Sequence, residues 1–224
     1  MWIILLLIFW PIALILAFNL LILPIQFTFQ SMINLFTVPR QIYEIATNER
    51  LRCNHALEHA TINVIEEYYG PQRLAGLARD DGFLIRGASD PGLVEKFARV
   101  GLERLKRGES HLAIHDRCGT SIASANLLSA VVFLLLLFQT GYFTFLNVLL
   151  AMMIANLTGP VIGRLVQQMF TTSVQVKNIE VVDVEYEYQS MEFFGVPYMR
   201  KPSDFFVRTR VLPRGMQAER LNVS

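Results

Sequence analysis

Two long stretches of this chain contain no charged residue, and they constrain its fold more than any other feature. The stretches are 1–39 and 118–163, in a chain of 224 residues. All 20 Lys and Arg and all 19 Asp and Glu lie in 40–117 and 164–224. Charge-free apolar segments of about 20 residues or more are typical of membrane-spanning helices. The sequence therefore excludes a purely soluble protein and predicts a membrane protein with two charged soluble stretches.

Three membrane-spanning helices are predicted, over 2–23, 122–138 and 142–163, the last two as a hairpin. The first lacks the positive n-region and the cleavage site of a signal peptide, so we expect it to be retained. The segment 24–38 carries polar side chains four residues apart at Gln26, Gln30 and Asn34. This stripe predicts an interfacial amphipathic helix, and a polar lining for a substrate path is the alternative.

Small side chains recur at four-residue spacing in both helices of the hairpin. They are Ser121, Ala125 and Ser129 in the first, and Ala151, Ala155, Gly159 and Gly163 in the second. Small residues allow helices to approach closely in lipid. We therefore expect these faces to pack together or against the first span. A homo-oligomer interface is the alternative use of the same faces.

The arginines flank the predicted spans on one side only. Arg40 follows the first span, Arg117 precedes the second and Arg164 follows the third, whereas the N-terminus and the hairpin tip are uncharged. The positive-inside rule then places 40–119 and 164–224 in the cytoplasm. Neither stretch is basic enough to indicate nucleic acid as a partner. The expected partners are the lipid bilayer and a membrane-protein or peptide substrate.

The charged stretches predict a small α/β (α+β) cytoplasmic domain. In 40–119 we expect helices over 40–69, interrupted at a cap near Asn48, and from Asp90 to about residue 106, with strands over 82–86 and 111–115. In 164–224 we expect strands over 174–189 and 205–212 that match glutamates to Arg208 and Arg210, followed by a mobile end from Pro213. The fold class is thus an α-helical membrane protein with three transmembrane helices and a small α/β (α+β) cytoplasmic domain. Its membrane parts are 1–39, with a span and an interfacial helix, and the hairpin 120–163. We expect the β-rich tail 164–224 to pack on the 40–119 domain and to share its sheet, because each stretch alone is small for a core.

The segment 53–59, with the sequence CNHALEH, carries the strongest chemical signal. His55 and His59 are four residues apart on a predicted helix, so both imidazoles can reach one metal ion. Glu58 can lie beside that ion without binding it and take a proton from a metal-bound water. The order is H-x-x-E-H. The pattern predicts a zinc site with Glu58 as catalytic base.

The other two histidines precede the second cysteine, in the segment 111–118. On a strand, His111 and His115 face the same side. His115 or Cys118 can supply a third ligand and leave water in the fourth position. One alternative is a closed structural metal site, which could recruit Cys53. A second is a disulfide between Cys53 and Cys118. In a third, the two helix histidines bind no metal and hydrogen bond to nearby carbonyls, and Glu58 pairs with Arg50 or Arg52.

Two resemblances accompany these motifs. The pentapeptide 55–59 resembles that of the inverzincin metallopeptidases, which implies zinc on His55 and His59 and Glu58 as base. In those enzymes the third ligand is a downstream glutamate, for which Glu103 or Glu109 is the nearest analogue here. The segments 54–61 (NHALEHAT) and 112–120 (LAIHxxCGT) are similar to those of an uncharacterised family of small bacterial membrane proteins, frequent in cyanobacteria. That likeness implies one site built from both segments, in a bacterial inner or thylakoid membrane.

The leading hypothesis is a membrane-bound zinc-dependent hydrolase, a metallopeptidase that acts at the membrane surface through Glu58, with metal on His55, His59, His115 and Cys118. The alternative is a non-catalytic assembly or scaffold protein with a structural metal or none. A pigment-binding protein with axial histidines is a third hypothesis, disfavoured because the histidine pair lies outside the spans.

Overall fold

The computed structural model of the chain is mostly helical, with three long apolar helices and a small antiparallel sheet. It describes residues 2–88, 90–142, 144–187, 191–193, 196–198 and 204–212. Two predictions therefore lie outside the described residues: the end of the strand at Tyr188 and Gln189, and the mobile end from Pro213. The chain divides into two compact units. Unit 1 comprises Met1–Gln41 and Ser121–Gly163, and unit 2 comprises Ile42–Thr120 and Arg164–Ser224.

The helices of unit 1 are the three that are long and apolar enough to span a membrane. They are α1 (Trp2–Ala46), whose C-terminal end lies in unit 2, α4 (Gly119–Thr140) and α5 (Phe145–Val166). The segment 24–38, predicted as a separate interfacial helix, continues α1 without a break. Pro24 lies inside the helix, and its carbonyl accepts a hydrogen bond from Oγ1 of Thr28 at 2.7 Å.

The small-residue faces of α4 and α5 pack against each other, as the sequence predicts. A Cβ on Gly159 would lie 2.8 Å from Cβ of Ala125, and one on Gly163 would lie 2.6 Å from Oγ of Ser121. Both distances are shorter than real side-chain contacts, so only glycine fits at these two positions. Next to this crossing, the ring of Phe27 in α1 packs edge-on against Phe133 in α4, with centroids 5.0 Å apart.

Unit 2 is built on a four-stranded antiparallel sheet in the order β1-β2-β6-β3. The strands are β1 (Ala75–Arg79), β2 (Gly82–Arg86), β3 (Ile179–Tyr186) and β6 (Asp204–Val211). A separate pair is formed by β4 (Met191–Phe193) and β5 (Val196–Tyr198). The two charged stretches thus share one sheet, as expected. The predicted strand 82–86 is β2, and its partners are β1 and β6, both of them antiparallel to it.

Two helices pack with this sheet around one apolar core. They are α2 (Glu49–Tyr69) and α3 (Pro91–Lys106), and each begins at the predicted cap. The side chain of Asn48 accepts from Leu51 N, and that of Asp90 accepts from Gly92 N, each at 3.1 Å. The core consists of buried side chains from both helices and the sheet, among them Ala56, Leu57, Val94, Ala98, Phe83 and Val207.

The strand predicted over 111–115 is absent, and this correction matters for the site. Ser110–Ala113 forms a turn of 3-10 helix instead. The carbonyls of Leu112 and Ile114 accept hydrogen bonds from Nδ2 of Asn63 at 2.9 and 2.8 Å. Because a side chain of α2 takes these carbonyls, the segment does not need a neighbouring strand.

The predicted pairing of acidic side chains on β3 with arginines on β6 is confirmed, but the strand register shifts within β3. Arg208 pairs with Glu185, and Arg210 pairs with Glu180, both at 3.0 Å. A register shift lies between Val181 and Asp183. The extra residue on β3 changes which acidic side chain faces Arg210.

Candidate metal centre

Helix α2 positions three of the predicted site residues inside unit 2. Every residue from Cys53 to Ile62 is buried. His55 and His59 lie one turn apart, with ring centroids separated by 4.3 Å. Glu58 is also buried, with 5 % of its surface exposed. A helix buried all round places these polar groups away from water, where each needs a partner.

Backbone carbonyls orient both imidazole rings. Nδ1 of His55 lies 2.9 Å from the carbonyl oxygen of Thr171, and Nδ1 of His59 lies 2.8 Å from that of Ala113. A carbonyl only accepts, so each Nδ1 carries the proton and donates it. Nε2 of each ring is then left with its lone pair. This is the arrangement that metal-binding histidines adopt, because the second ring nitrogen fixes the tautomer and the orientation.

Cys118 completes a cluster of three possible ligands. Its Sγ lies 3.2 Å from Nε2 of His55 and 3.4 Å from the backbone N of Thr120. The ligand atoms of His55, His59 and Cys118 all lie within 4.8 Å of one another. Ligand atoms that share a tetrahedral zinc ion, at bond lengths of about 2.0–2.3 Å, are roughly 3.5 Å apart. The cluster is therefore able to hold a metal ion after a small contraction.

Nε2 of His59 is the clearest sign that this cluster is incomplete without a ligand. Within the described part of the chain, this buried atom has no hydrogen-bond partner. Burial lowers the pKa of His59 well below its ordinary value of 6.5, and the neighbouring His55 acts in the same direction. The ring is therefore neutral and its lone pair is available at neutral pH. Histidines bonded only to carbonyls, the alternative considered above, would leave this nitrogen unexplained.

His115 lies beside the cluster and is not one of the three. Its ring centroid is 6.0 Å from that of His59. Nδ1 donates to Oδ1 of Asn63 at 2.8 Å, and Nε2 is buried without a partner among the described residues. Gln167 holds the backbone, because its Oε1 accepts from His115 N at 2.9 Å and its Nε2 donates to His115 O at 3.0 Å.

Glu58 lies between α2 and the first strand of the sheet. The backbone of Ala78 hydrogen bonds to its carboxylate, and burial raises its pKa to about 8. His55 lowers the pKa of Glu58 and Cys118 raises it, so the carboxyl is within electrostatic reach of the cluster. A Cβ on Gly76 would lie 2.1 Å from Oε1 of Glu58. The glycine therefore makes the space that the carboxylate occupies.

The remaining candidate ligands have other roles. Both cysteines are free, so the Cys53–Cys118 disulfide is not formed. Cys53 lies on another face of α2, where its Sγ is 3.7 Å from the carbonyl of Gln175. Glu103 pairs with Lys106 at 3.2 Å, and Glu109 pairs with Arg104 at 2.6 Å.

Sequence reasoning missed Asn63, Gln167 and Gly76. Asn63 continues the four-residue spacing of His55 and His59, so the helical period could have identified it. Gln167 lies in a turn of π-helix, Gln167–Thr171, that directly follows α5. Such turns are frequent at functional sites but have no clear sequence signal. Nothing in the sequence around Gly76 indicates that a carboxylate packs against it.

Comparison with known proteins adds a family and one relative. The pattern of the family described as "Domain of unknown function (DUF6391)" matches residues 50–184, a range that contains the whole cluster. An uncharacterized protein of Picosynechococcus sp. (strain ATCC 27264 / PCC 7002 / PR-6) is 35% identical over 89 residues, which is 36% of this chain. The aligned part of the chain spans 43% of the length of that relative. No solved structure matches the chain.

Proposed function

The chain belongs to the DUF6391 family, whose function is unknown, and we propose from its own residues that it is a membrane-bound zinc-dependent hydrolase, specifically a metallopeptidase. One observation carries the proposal. A three-residue cluster of metal-binding character has a buried, protonatable carboxyl within electrostatic reach. Catalytic zinc sites use three protein ligands and keep the fourth position open.

Membrane insertion is the first part of the proposal. The three helices expose large apolar side chains, such as Phe138 with 83 % and Leu157 with 77 % of the surface accessible. Surfaces of this kind are stable only when lipid or protein covers them. By the positive-inside rule, Arg40, Arg117 and Arg164 support a cytoplasmic location for unit 2, and we propose the inner or thylakoid membrane of a bacterial cell.

Zinc is the second part, with His55, His59 and Cys118 as its ligands. Two imidazoles and one thiolate form a donor set that zinc accepts and that calcium or magnesium does not. A zinc ion held there supplies Lewis acidity and activates water at its open position. In a closed structural site, His115 would be the candidate for the fourth ligand, since its Nε2 is buried and unpartnered among the described residues.

Glu58 is the proposed base. In the metal-free protein, a carboxyl with a pKa of about 8 is mostly protonated at pH 7. A cation nearby favours the ionised form, so metal binding would convert Glu58 into a proton acceptor near neutral pH. Its position one residue before His59 keeps it beside the ion and outside the ligand set.

The substrate class follows from the chain connections of the site. Cys118 directly precedes α4, and α2 begins three residues after α1 ends. Spanning helices would therefore hold both segments of the site close to the bilayer surface. We propose a membrane-protein or membrane-bound peptide substrate.

A structural metal in a non-catalytic assembly protein is the second candidate, and the burial of the cluster favours it. His59 is fully buried, and His55 and Cys118 each expose only 6 % of their surface. Closed sites with four protein ligands are typical of structural zinc. Glu58 separates the two candidates, because a structural site has no use for a base.

Metal analysis of the purified full chain tests the metal. We expect close to one zinc per wild-type chain, and loss of most of it in His59→Ala and Cys118→Ala. Cys53→Ala and His111→Ala are matched controls, because Cys53 faces away from the cluster and His111 is exposed. Wild-type protein without zinc, or equal loss of metal in the controls, contradicts the site.

Glu58→Gln then tests catalysis. The probes are a fluorogenic peptide library and a membrane-anchored fluorogenic peptide, added to the zinc-loaded protein in detergent or liposomes. A hydrolase should cleave a member of the set, and Glu58→Gln should keep its zinc and lose at least a hundredfold in rate. If the zinc-loaded wild type cleaves none of the probes and Glu58→Gln has the same zinc content and stability, the result supports the structural site instead.

A further inference from the structure

Unit 1 contains a groove that polar side chains line, among helices that are otherwise apolar. Its volume is about 330 Å³. All three helices contribute hydroxyl or amide groups to it: Gln30, Ser31, Asn34, Asn126, Ser129 and Asn156. Among the residues that the structure describes, the lining contains no Lys, Arg, Asp or Glu. Gln30 and Asn34 of the polar stripe on α1 therefore form part of the wall of an uncharged polar groove.

The hydroxyl of Ser129 indicates that this groove receives a ligand. Ser129 exposes 6 % of its surface, and its Oγ is buried without a hydrogen-bond partner in the described chain. Several threonine hydroxyls elsewhere in these helices bond to the backbone of their own helix. Thr28 donates to the carbonyl of Pro24, and Thr158 donates to that of Ile154 at 2.8 Å. Ser129 lines the groove with its bonding capacity unused.

The amides of the groove define the chemistry of the ligand. Gln30 donates to Oδ1 of Asn34 at 2.9 Å, which places a connected amide pair along α1. Asn126 and Asn156 are exposed on α4 and α5. Amides both donate and accept, and no charged side chain is present to compensate a charged group. A ligand with hydroxyl and ester oxygens on an uncharged head group can form hydrogen bonds with these amides.

The depth of the groove favours an amphiphile over a soluble molecule. Asn126 is seven residues after the start of α4 at Gly119, about 10 Å along the helix axis. The headgroup layer on each side of a bilayer is about 6 Å thick. In the proposed membrane, the groove then opens at the level of the lipid esters and upper chains, where unsatisfied polar groups are unfavourable.

We propose that this groove binds an uncharged amphiphile, through the hydroxyl and ester oxygens of its head, with the acyl chains left outside in the bilayer. The volume accommodates a glycerol ester head and not the chains. The inference rests on the membrane insertion proposed above and is independent of the metal. A charged lipid or a second copy of this chain is an alternative occupant that the experiment distinguishes.

Photo-crosslinking of the full chain in liposomes tests the proposal. The probes are a diazirine-bearing diacylglycerol and a phosphatidylglycerol with the same diazirine chain. We expect the diacylglycerol to label peptides of α4 and α5 at least threefold more than the phosphatidylglycerol. Ser129→Ala and Asn156→Leu should each reduce that labelling at least threefold. Asn19→Leu is the matched control, because Asn19 bonds to the carbonyl of Ile15 in its own helix and does not line the groove.

Three results would overturn the proposal. Equal labelling by the two lipids, or labelling that Ser129→Ala and Asn156→Leu leave unchanged, excludes a groove selective for an uncharged head. Dimers that these variants dissociate show that a second copy is the occupant. Release of the protein by alkaline carbonate excludes insertion. The zinc content of the same preparations reports separately on the metal centre, so a failure of one proposal is not mistaken for a failure of the other.

Discussion

Nε2 of His55 lies 3.2 Å from Sγ of Cys118, although 63 residues separate them in the chain. The other nitrogen of the same ring is held by the carbonyl of Thr171. Three distant parts of the chain thus converge on one imidazole.

Replacing Asn63 with Ala should weaken the metal centre without removing a ligand. Its side chain holds the carbonyls of Leu112 and Ile114 and accepts from Nδ1 of His115. Loss of a partner for buried polar groups costs about 1–3 kcal/mol of stability. Loss of a supporting group reduces metal affinity about 10–100-fold. Thermal unfolding and zinc competition with a chelator measure both effects, and His111→Ala should change neither. An Asn63→Ala variant with wild-type zinc affinity would show that this clamp does not support the site.

Gly76→Ala should displace the carboxyl of Glu58. The new Cβ would lie 2.1 Å from Oε1, so the carboxyl or the strand must move. We expect the variant to keep most of its zinc and to lose most of its hydrolytic rate, because the ligands lie elsewhere. Gly92→Ala is the control, since its nearest neighbour, Oδ1 of Asp90, is 3.6 Å away. Equal hydrolytic rates in Gly76→Ala and Gly92→Ala would show that hydrolysis does not require a defined position of the Glu58 carboxyl.

The stability of the metal-free protein should fall as the pH rises through neutrality. Burial raises the pKa of Glu58 from its ordinary value of 4.5 to about 8. The folded state therefore keeps a proton that the unfolded chain has lost, and stability decreases between about pH 4.5 and 8. The slope is at most about 1.4 kcal/mol per pH unit. His59 acts oppositely, because its lowered pKa causes stability to fall as the pH drops below 6.5.

Urea unfolding at several pH values, with wild type and Glu58→Gln compared, isolates the carboxyl. The two curves should diverge most steeply between pH 5 and 8, and zinc should reduce the divergence because a cation favours the ionised carboxylate. Parallel curves across that range would contradict the buried position of Glu58.

Gly159→Ala should destabilise the crossing of α4 and α5 by about 1–3 kcal/mol, the range for overpacked cores. Its Cβ would lie 2.8 Å from Cβ of Ala125. The double variant Gly159→Ala with Ala125→Gly restores the space and should recover most of the loss. Thermal unfolding in one detergent compares the four proteins. Absence of recovery in the double variant would show that the two residues are not in contact.

Local signals in the sequence predicted most of the helical structure. Asn48 and Asp90 start α2 and α3 because their side chains accept from the first free backbone N–H groups, which is a property of a few neighbouring residues. The pairing of His55 with His59 follows equally from the helical period. These features depend on contacts within one or two turns of helix.

The features that the sequence did not reveal depend on contacts that lie outside a single helix or strand. The segment 111–115 looks like a strand because a short apolar run lies between His111 and His115, but Asn63 and Gln167 satisfy its backbone from 49 to 52 residues away. Strand β1 was missed because Ala75–Arg79 consists of residues with weak strand preference, and it forms by pairing with β2 across a two-residue turn. Neither contact can be inferred from local periodicity.

A metal ion bound to His55, His59 and Cys118 would join two segments that are far apart along the chain. A metal on this cluster would cross-link the chain and close a loop of 63 residues, as a disulfide between the same segments would. For a covalent link, the loss of freedom in the unfolded chain for a loop of that size corresponds to about 4 kcal/mol. Unlike a disulfide, this link would open when free zinc falls and close when it rises. The persistence of the folded unit 2 would then follow the supply of zinc, even where no substrate is present.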